Sequence, residues 1–375
     1  MNSTPDTHAP PDVFSSASVG GMALKNRVVM APMTRSRANA QGEATALMAT
    51  YYAQRAEAGL IVSEAVDISP QGKGFSGTPG IHTDAQRDAW REVSDAVHAA
   101  GSRLFMQLWH VGRIAHPANM APGLHPVAPS AVVFPRKVVT PAGEQPVPVP
   151  RALSTEEVAA TVRDYAQAAR RAVDAGCDGI EIHGANGYLP SQFLHESSNL
   201  RTDRYGGSLA NRARFILETA EACAAAVGPQ RVGIRLTPFN KFNGAESADE
   251  AGTYDYLLPR LQALGLAYLH VVRAQVSGNQ SVSGPVADVL GFVRPRWSGT
   301  LVAAGDFTLD TAREELRQGR CDLVAFGRDF IGNPDLVTRL RQGLPLVPRQ
   351  PSQWYGSGAE GYTDYARAQA PSLSV

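Results

Sequence analysis

The sequence predicts an α/β fold closed into a (βα)8 TIM barrel. Three observations carry that expectation. Eight short apolar runs recur along the chain: Val28–Ala31, Leu60–Ser63, Leu104–Leu108, Gly179–His183, Val232–Leu236, Tyr268–Val272, Thr300–Ala304 and Leu323–Phe326. Most are followed by a longer amphipathic stretch, such as Thr155–Ala175, Leu209–Val227 or Thr308–Gln318, so strands alternate with helices as in a parallel barrel. The alternative, an open doubly wound sheet, would carry a GxGxxG turn after its first strand, and none follows Val28–Ala31.

In chain order, residues 1–11 are rich in Pro, Thr and Asp, the composition of a disordered segment. One domain is expected over 12–365. It begins with Phe14–Leu24, where apolar and small residues alternate around Gly20-Gly21, a hairpin placed to cap the barrel bottom. After the third strand comes a Pro-rich insertion, about 113–152, on the face where such barrels do chemistry. Connections this long tend to be lids; the other reading is a passive surface hairpin pairing Ala131–Phe134 with Lys137–Thr140. Gly206-Gly207 makes a turn, and Ser208 is placed to cap the next helix. The Gly- and Tyr-rich segment WYGSGAEGYTDYARAQ is expected to fold back over the top rim, with 366–375 a flexible tail.

Composition narrows the function. The chain has 375 residues, 43% hydrophobic and 19% charged, with Lys+Arg and Asp+Glu equal at 35 each. No basic excess invites nucleic acid or an anionic membrane. Cys177, Cys223 and Cys321 are far apart and show no metal-ligand spacing, which suits a reducing compartment without a disulfide frame, a metal centre or an iron–sulfur cluster. With no signal-like start and no apolar run of membrane length, the expectation is a soluble cytoplasmic protein acting on a small molecule, as a monomer or homodimer.

Ligands of TIM barrels sit at the C-terminal strand ends, so the residues there are read together. They are Pro32, Met33 and Thr34; Glu64 and Ala65; Gln107, Trp109 and His110; His183, Asn186 and Tyr188; Arg235; Ala304, Gly305 and Asp306; and Gly327 with Arg328. His and Asn can both donate to one carbonyl or nitro oxygen, and Tyr can supply a proton. HGANGY alone is equally the pattern of a core His, a turn Asn and a half-buried Tyr. Gly305, Gly327 and Arg328, after the last two strands, have the makings of a phosphate site.

The run GCDGIEIHGANGYLPSQFLHESSNLRTDRYGGSLANR, residues 176–212, resembles the signature of the old yellow enzyme family, flavin-dependent ene-reductases on a TIM barrel, and the resemblance extends from about Val28 to Tyr365. It implies non-covalent FMN and NADPH or NADH as reductant. Pro32–Thr34 would line the flavin, with Thr34 bonding its O4; Ala65 and Gln107 would contact the pyrimidine half, and Arg235 would stand beside N1 and O2. A cation there stabilises the reduced anionic flavin. Thr34 implies the Thr-bearing rather than the Cys-bearing subgroup, similar to bacterial N-ethylmaleimide and pentaerythritol tetranitrate reductases. The resemblance further implies that His183 and Asn186 hold the activating oxygen of an enone, enal, maleimide or nitroalkene. Hydride would pass from flavin N5 and Tyr188 would protonate the other carbon, with Tyr355, Trp109 and Phe75 walling the pocket.

Departures from the family pattern bear on substrate range. Phe75 stands where many relatives carry Tyr, Asn240 where Gly is common, and Arg273 to Gln275 replace an acidic segment, placing Arg273 and Gln275 where they could alter the pocket mouth. The rivals are nitro-compound or nitrate-ester reduction on the same flavin, a barrel lyase or aldolase with a phosphorylated substrate, and a flavin carrier without turnover. No strand-end Lys offers the Schiff base an aldolase would need.

Overall fold

The computed structural model describes residues 11–284 and 286–368. Eight parallel strands close into a barrel: β1 (Val28–Met30), β2 (Leu60–Asp67), β3 (Arg103–Trp109), β4 (Gly179–His183), β5 (Val232–Leu236), β6 (Tyr268–Val272), β7 (Leu301–Ala304) and β8 (Leu323–Phe326). They pair in sequence order, and β8 returns to β1 through Val324↔Val28 and Phe326↔Met30. Alternation along each strand sends one set of side chains outward to the helices and the other inward. In β4, Ile180 and Ile182 join the apolar cluster with helix residues such as Phe215 and Ile216, while Glu181 and His183 face the barrel interior.

The interior is layered. At the bottom, Phe105, Tyr268, Leu60, Val302 and Leu323 pack together with Val19 and Leu24 of the N-terminal hairpin. That hairpin pairs Ala17–Val19 with Met22–Leu24. Its turn needs glycine, since Gly20 and Gly21 have φ of 53° and 80°. Above the apolar layer lies a polar one around Glu181, and above that a cavity.

Hydroxyl side chains cap the N-termini of three outer helices. Ser154 and Thr83 form capping boxes, and the Ser208 side chain accepts from the Asn211 N–H; such caps each contribute about 1 kcal/mol. No helix among the described residues is long and apolar enough to cross a membrane.

Two expectations are corrected. In the insertion, Lys137–Thr140 pairs with Gly143–Pro146, not with Ala131–Phe134. The segment before Pro135 is taken up by tight turns, Val132 N–H to Ser130 O and Arg136 N–H to Phe134 O, so it never extends. Pro141 and Gly143 (φ 91°) instead reverse the chain after Thr140. The tail is anchored further than expected: Arg339 donates to Ala366 O and the Ala368 N–H donates to Asp335. Residues 369–375, like 1–10, lie outside the described residues.

Candidate active site

A cavity of about 850 Å³ opens at the C-terminal strand ends. Its lining includes Pro32, Met33 and Thr34 from the β1 loop; Ala65; Gln107 and Trp109; His183, Asn186 and Tyr188; Arg235; Ala304, Gly305 and Asp306; and Gly327 with Arg328. Phe75 and Tyr355 complete it; of the strand-end residues read together from sequence, only Glu64 and His110 do not border this space. Arg273 and Gln275 do not. The Arg273 guanidinium is tied to Gly305 O at 2.5 and 3.1 Å, pairs with Glu315 at 3.6 Å and lies over the Phe307 ring. The segment after β6 reaches the cavity instead through Val276, Gly278, Asn279 and Gln280, held by the Asn240 amide donating to Val276 O.

The floor is built by a bulge and a buried carboxylate. Register slips in β2 between Val62 and Ala65. The Gln107 N–H at the slip is satisfied by Ser63 Oγ at 3.1 Å, and Ala65 faces the cavity. Glu64 turns the other way and accepts the Arg35 and Ser36 N–H groups at 3.1 Å each, fixing the loop that carries Pro32–Thr34. Arg35 sets its guanidinium beside the stacked Tyr51 and Tyr362 rings and donates to Tyr51 Oη, Trp354 O and Gly361 O. The same arginine therefore straps the C-terminal segment, with Tyr355, across the rim.

Beneath the cavity, the Glu181 carboxylate accepts from Gln107 Nε2 (2.8 Å), Tyr268 Oη (3.0 Å) and His270 Nδ1 (2.8 Å), with Glu181 and His270 fully buried. Burial pushes the carboxyl up, but His270, Arg235 and Gln107 more than offset it and leave it below the usual carboxylate range. Arg235 has no hydrogen-bond partner at its buried Nε and no ion pair among the described residues. A guanidinium held unpaired at a cavity floor fits an anionic ring edge placed against it.

At one end of the cavity Gly305 (φ 129°) brings main chain to the surface where a Cβ would stand 2.9 Å from that of Arg273. The Asp306 carboxylate is turned onto Arg328 (2.7 Å), Arg349 (3.0 Å) and Ser281. It orients two cations and leaves its backbone toward the space. Arg349, which also lines the cavity, carried no motif that sequence reading could use.

The opposite wall is aromatic. Phe75 stacks on Trp109 at 5.5 Å, and Tyr188 meets Trp109 edge-on at 4.9 Å and His183 at 5.0 Å. Burial, reinforced by Arg235 and His270, drives the His183 pKa well below its usual value, so the ring is neutral. The Ala185 N–H approaches Nδ1 at 3.4 Å, which leaves the proton on Nε2. Asn186 sits at φ 58°, its N–H on Thr237 Oγ1 and its C=O accepting from Asn243. Its side-chain amide has no protein partner among the described residues. Burial pushes the Tyr188 phenol up to about 12.

The family described as NADH:flavin oxidoreductase / NADH oxidase, FMN type, matches residues 12–347. The chain belongs to this family. A solved morphinone reductase is 44% identical, covering 96% of this chain and 98% of its own, with a TM-score of 0.91. An old yellow enzyme homologue from Zymomonas mobilis is 39% identical over 95% and 99%, with a TM-score of 0.90. A probable flavin mononucleotide-dependent alkene reductase of Leishmania infantum is 40% identical over 92% of this chain and 95% of its own. Family membership makes the protein an FMN-dependent oxidoreductase, and the unpaired Arg235, the glycine-lined end with Arg328 and Arg349, and the flat apolar face of Ala65 and Met33 fit that cofactor. Glu181, His270 and Asn243 were not singled out from sequence. Glu181 and His270 stand at inward positions of GIEIH and YLHVV, a readable signal; their pairing across three strands is not.

Proposed function

We propose that the protein reduces the C=C bond of activated alkenes, with His183 and Asn186 binding the activating oxygen and Tyr188 supplying the proton. FMN, when bound, would supply the two-electron redox chemistry between NADPH or NADH and the alkene. The chain's own residues do the rest. The neutral His183 and the free amide of Asn186 offer two donors at one wall, and two hydrogen bonds to a conjugated carbonyl draw electron density from the alkene. Tyr188, edge-on to His183 at 5.0 Å, remains protonated throughout the physiological range and can donate to the carbon that becomes basic. Trp109 and Phe75 exclude water from that proton transfer.

The observation that carries this reading is the convergence of the neutral His183, the unpartnered Asn186 amide and the high-pKa Tyr188 on one cavity wall, with Arg235 at its floor. A cytoplasmic location accords with three buried free thiols, Cys177, Cys223 and Cys321. The test is isotopic. Cyclohexenone reduced with deuteride-labelled nicotinamide in ordinary water should gain deuterium only at the β-carbon and protium at the α-carbon. Recovery of allylic alcohol, or of unreacted enone beside oxidised nicotinamide, contradicts it.

A further inference from the structure

We infer that Thr237 and Asn243, two buried residues outside the cavity lining, are positioning residues that together set the direction of the Asn186 amide. The inference rests on the alkene-reductase reading, in which that amide holds the activating oxygen. Asn186 and Gly187 are successive left-handed residues, φ 58° and 68°, and the Tyr188 N–H closes their turn onto Ala185 O at 3.3 Å. A residue with a Cβ keeps that conformation only where its surroundings over-determine it. The turn's own hydrogen bond uses neither the N–H nor the C=O of Asn186. Both are taken by the segment that follows β5. The N–H donates to Thr237 Oγ1 at 3.0 Å, and the C=O accepts from Asn243 Nδ2 at 2.8 Å. One bond holds the peptide plane before the Asn186 Cα and the other holds the plane after it. Together they fix φ and ψ, and with them the direction of the Cα–Cβ bond. Strand register makes this possible, because β4 and β5 pair through His183↔Arg235 and bring Thr237 alongside the turn.

Asn243 is itself firmly held. It sits at φ 59°, and its C=O and that of Gly244 accept from Arg113 Nη2 at 3.1 and 3.2 Å. Its Oδ1 accepts from Arg136 Nη1. A guanidinium only donates, so that contact leaves Nδ2 facing Asn186. The two turns are also in direct contact: a Cβ on Gly187 would stand 2.6 Å from both Asn243 Cβ and Phe242 O. Gln192 Nε2 holds the far side of the turn by donating to Gly187 O at 2.8 Å. His183, the other proposed donor, is placed by different contacts, the Ala185 N–H and the Trp109 and Tyr188 rings. Loss of Thr237 or Asn243 therefore disturbs one donor of the pair and spares the other.

The test is a double-mutant cycle on the FMN-loaded protein. The probe is p-chlorophenol, a non-reacting ligand with one oxygen, titrated through the flavin absorbance, with melting temperature measured alongside. Asn243→Gly removes the amide and keeps a backbone free to hold φ 59°; Thr237→Val keeps the shape and removes the acceptor. Each should weaken phenol binding about tenfold, the worth of one well-aimed hydrogen bond. Thr237→Ser, which restores the hydroxyl, should bind within about twofold of the wild type. Asn186→Gly removes the donor itself and tolerates φ 58°. In that background, Asn243→Gly and Thr237→Val should cost no further affinity, because they act only through the missing amide. Losses that add in the Asn186→Gly background would overturn the inference. So would variants that melt earlier yet bind phenol as the wild type does; Thr237 and Asn243 would then only pack the loop. The two positions are tested separately, so one variant that fails to fold leaves the other to decide. If Asn186→Gly alone leaves phenol affinity unchanged, the role given to Asn186 in the alkene-reductase reading fails; if it weakens binding while Asn243→Gly and Thr237→Val do not, only the positioning inference fails.

Discussion

A phenol held at about 12 is a poor acid in water and a serviceable one beside a developing carbanion, and Tyr188 is such a phenol. Tyr188→Phe should leave flavin reduction by NAD(P)H nearly intact and slow reoxidation by cyclohexenone by about 10²–10⁴-fold, the usual contribution of a general acid. A nitroalkene is the control, because its nitronate product can leave unprotonated; its hydride-transfer rate should change far less. The pH dependence follows from the same burial. The group is protonated below its pKa, so the enone half-reaction should show no alkaline limb from Tyr188 between pH 6 and 10. A limb near pH 8 in the wild type, lost in Tyr188→Phe, would show the phenol to be far more acidic than its surroundings require. At this scale HGANGY was legible as chemistry because His, Asn and Tyr leave one strand end within six positions. What the sequence could not supply was the state of each group. The neutral His183 depends first on burial by closure of the barrel, then on Arg235 and His270, which come from β5 and β6.

The barrel strands were legible from apolar runs. β4, β5, β6 and β8 begin and end where those runs do, while β2 extends beyond its run through Glu64 to Asp67 and β3 extends to Arg103 and Trp109. The extension exists because Glu64 and Asp67 find partners once folded, and propensity carries no trace of that. Lid pairing was misread for a similar reason: Val132 and Val133 look like strand residues, but tight turns around Pro135 consume their backbone. The Glu181 network is the element-scale feature with the largest expected effect. Glu181→Gln keeps size but replaces one carboxylate oxygen with a donor, leaving Tyr268 and His270 facing an N–H group. Equilibrium denaturation should show a loss of about 1–3 kcal/mol, accompanied by weaker FMN retention, since the network that holds Gln107 at the cavity floor is loosened. Unchanged stability and unchanged FMN affinity would show that the network merely fills space.

For the whole molecule, one buried carboxyl couples stability to pH in an unusual direction. Burial pushes Asp67 up to about 7 against the opposing influence of Lys73 at 4.0 Å and Thr78 at 2.8 Å, and its Oδ1 has no partner. Its folded pKa lies above its unfolded value of about 3.9, so the native state binds the extra proton. This stabilising contribution is complete below about pH 4 and lost as pH rises through 7. The melting temperature of Asp67→Asn minus that of the wild type should therefore grow between pH 5 and 8; a constant difference would place the ionised carboxylate in the native state even at low pH. Charge balance, cysteine spacing and strand rhythm told the class of this molecule, but the 850 Å³ space that unites its site residues is a property of closure alone. The central claim is that this space holds a flavin which passes electrons to an alkene. The most direct measurement is anaerobic: reduce the FMN-loaded protein with NAD(P)H, mix it with cyclohexenone, and follow the oxidised-flavin absorbance. Full recovery of the absorbance with stoichiometric cyclohexanone is the predicted result. A flavin that stays reduced with enones and nitroalkenes alike, yet reoxidises when air is admitted, would contradict the account.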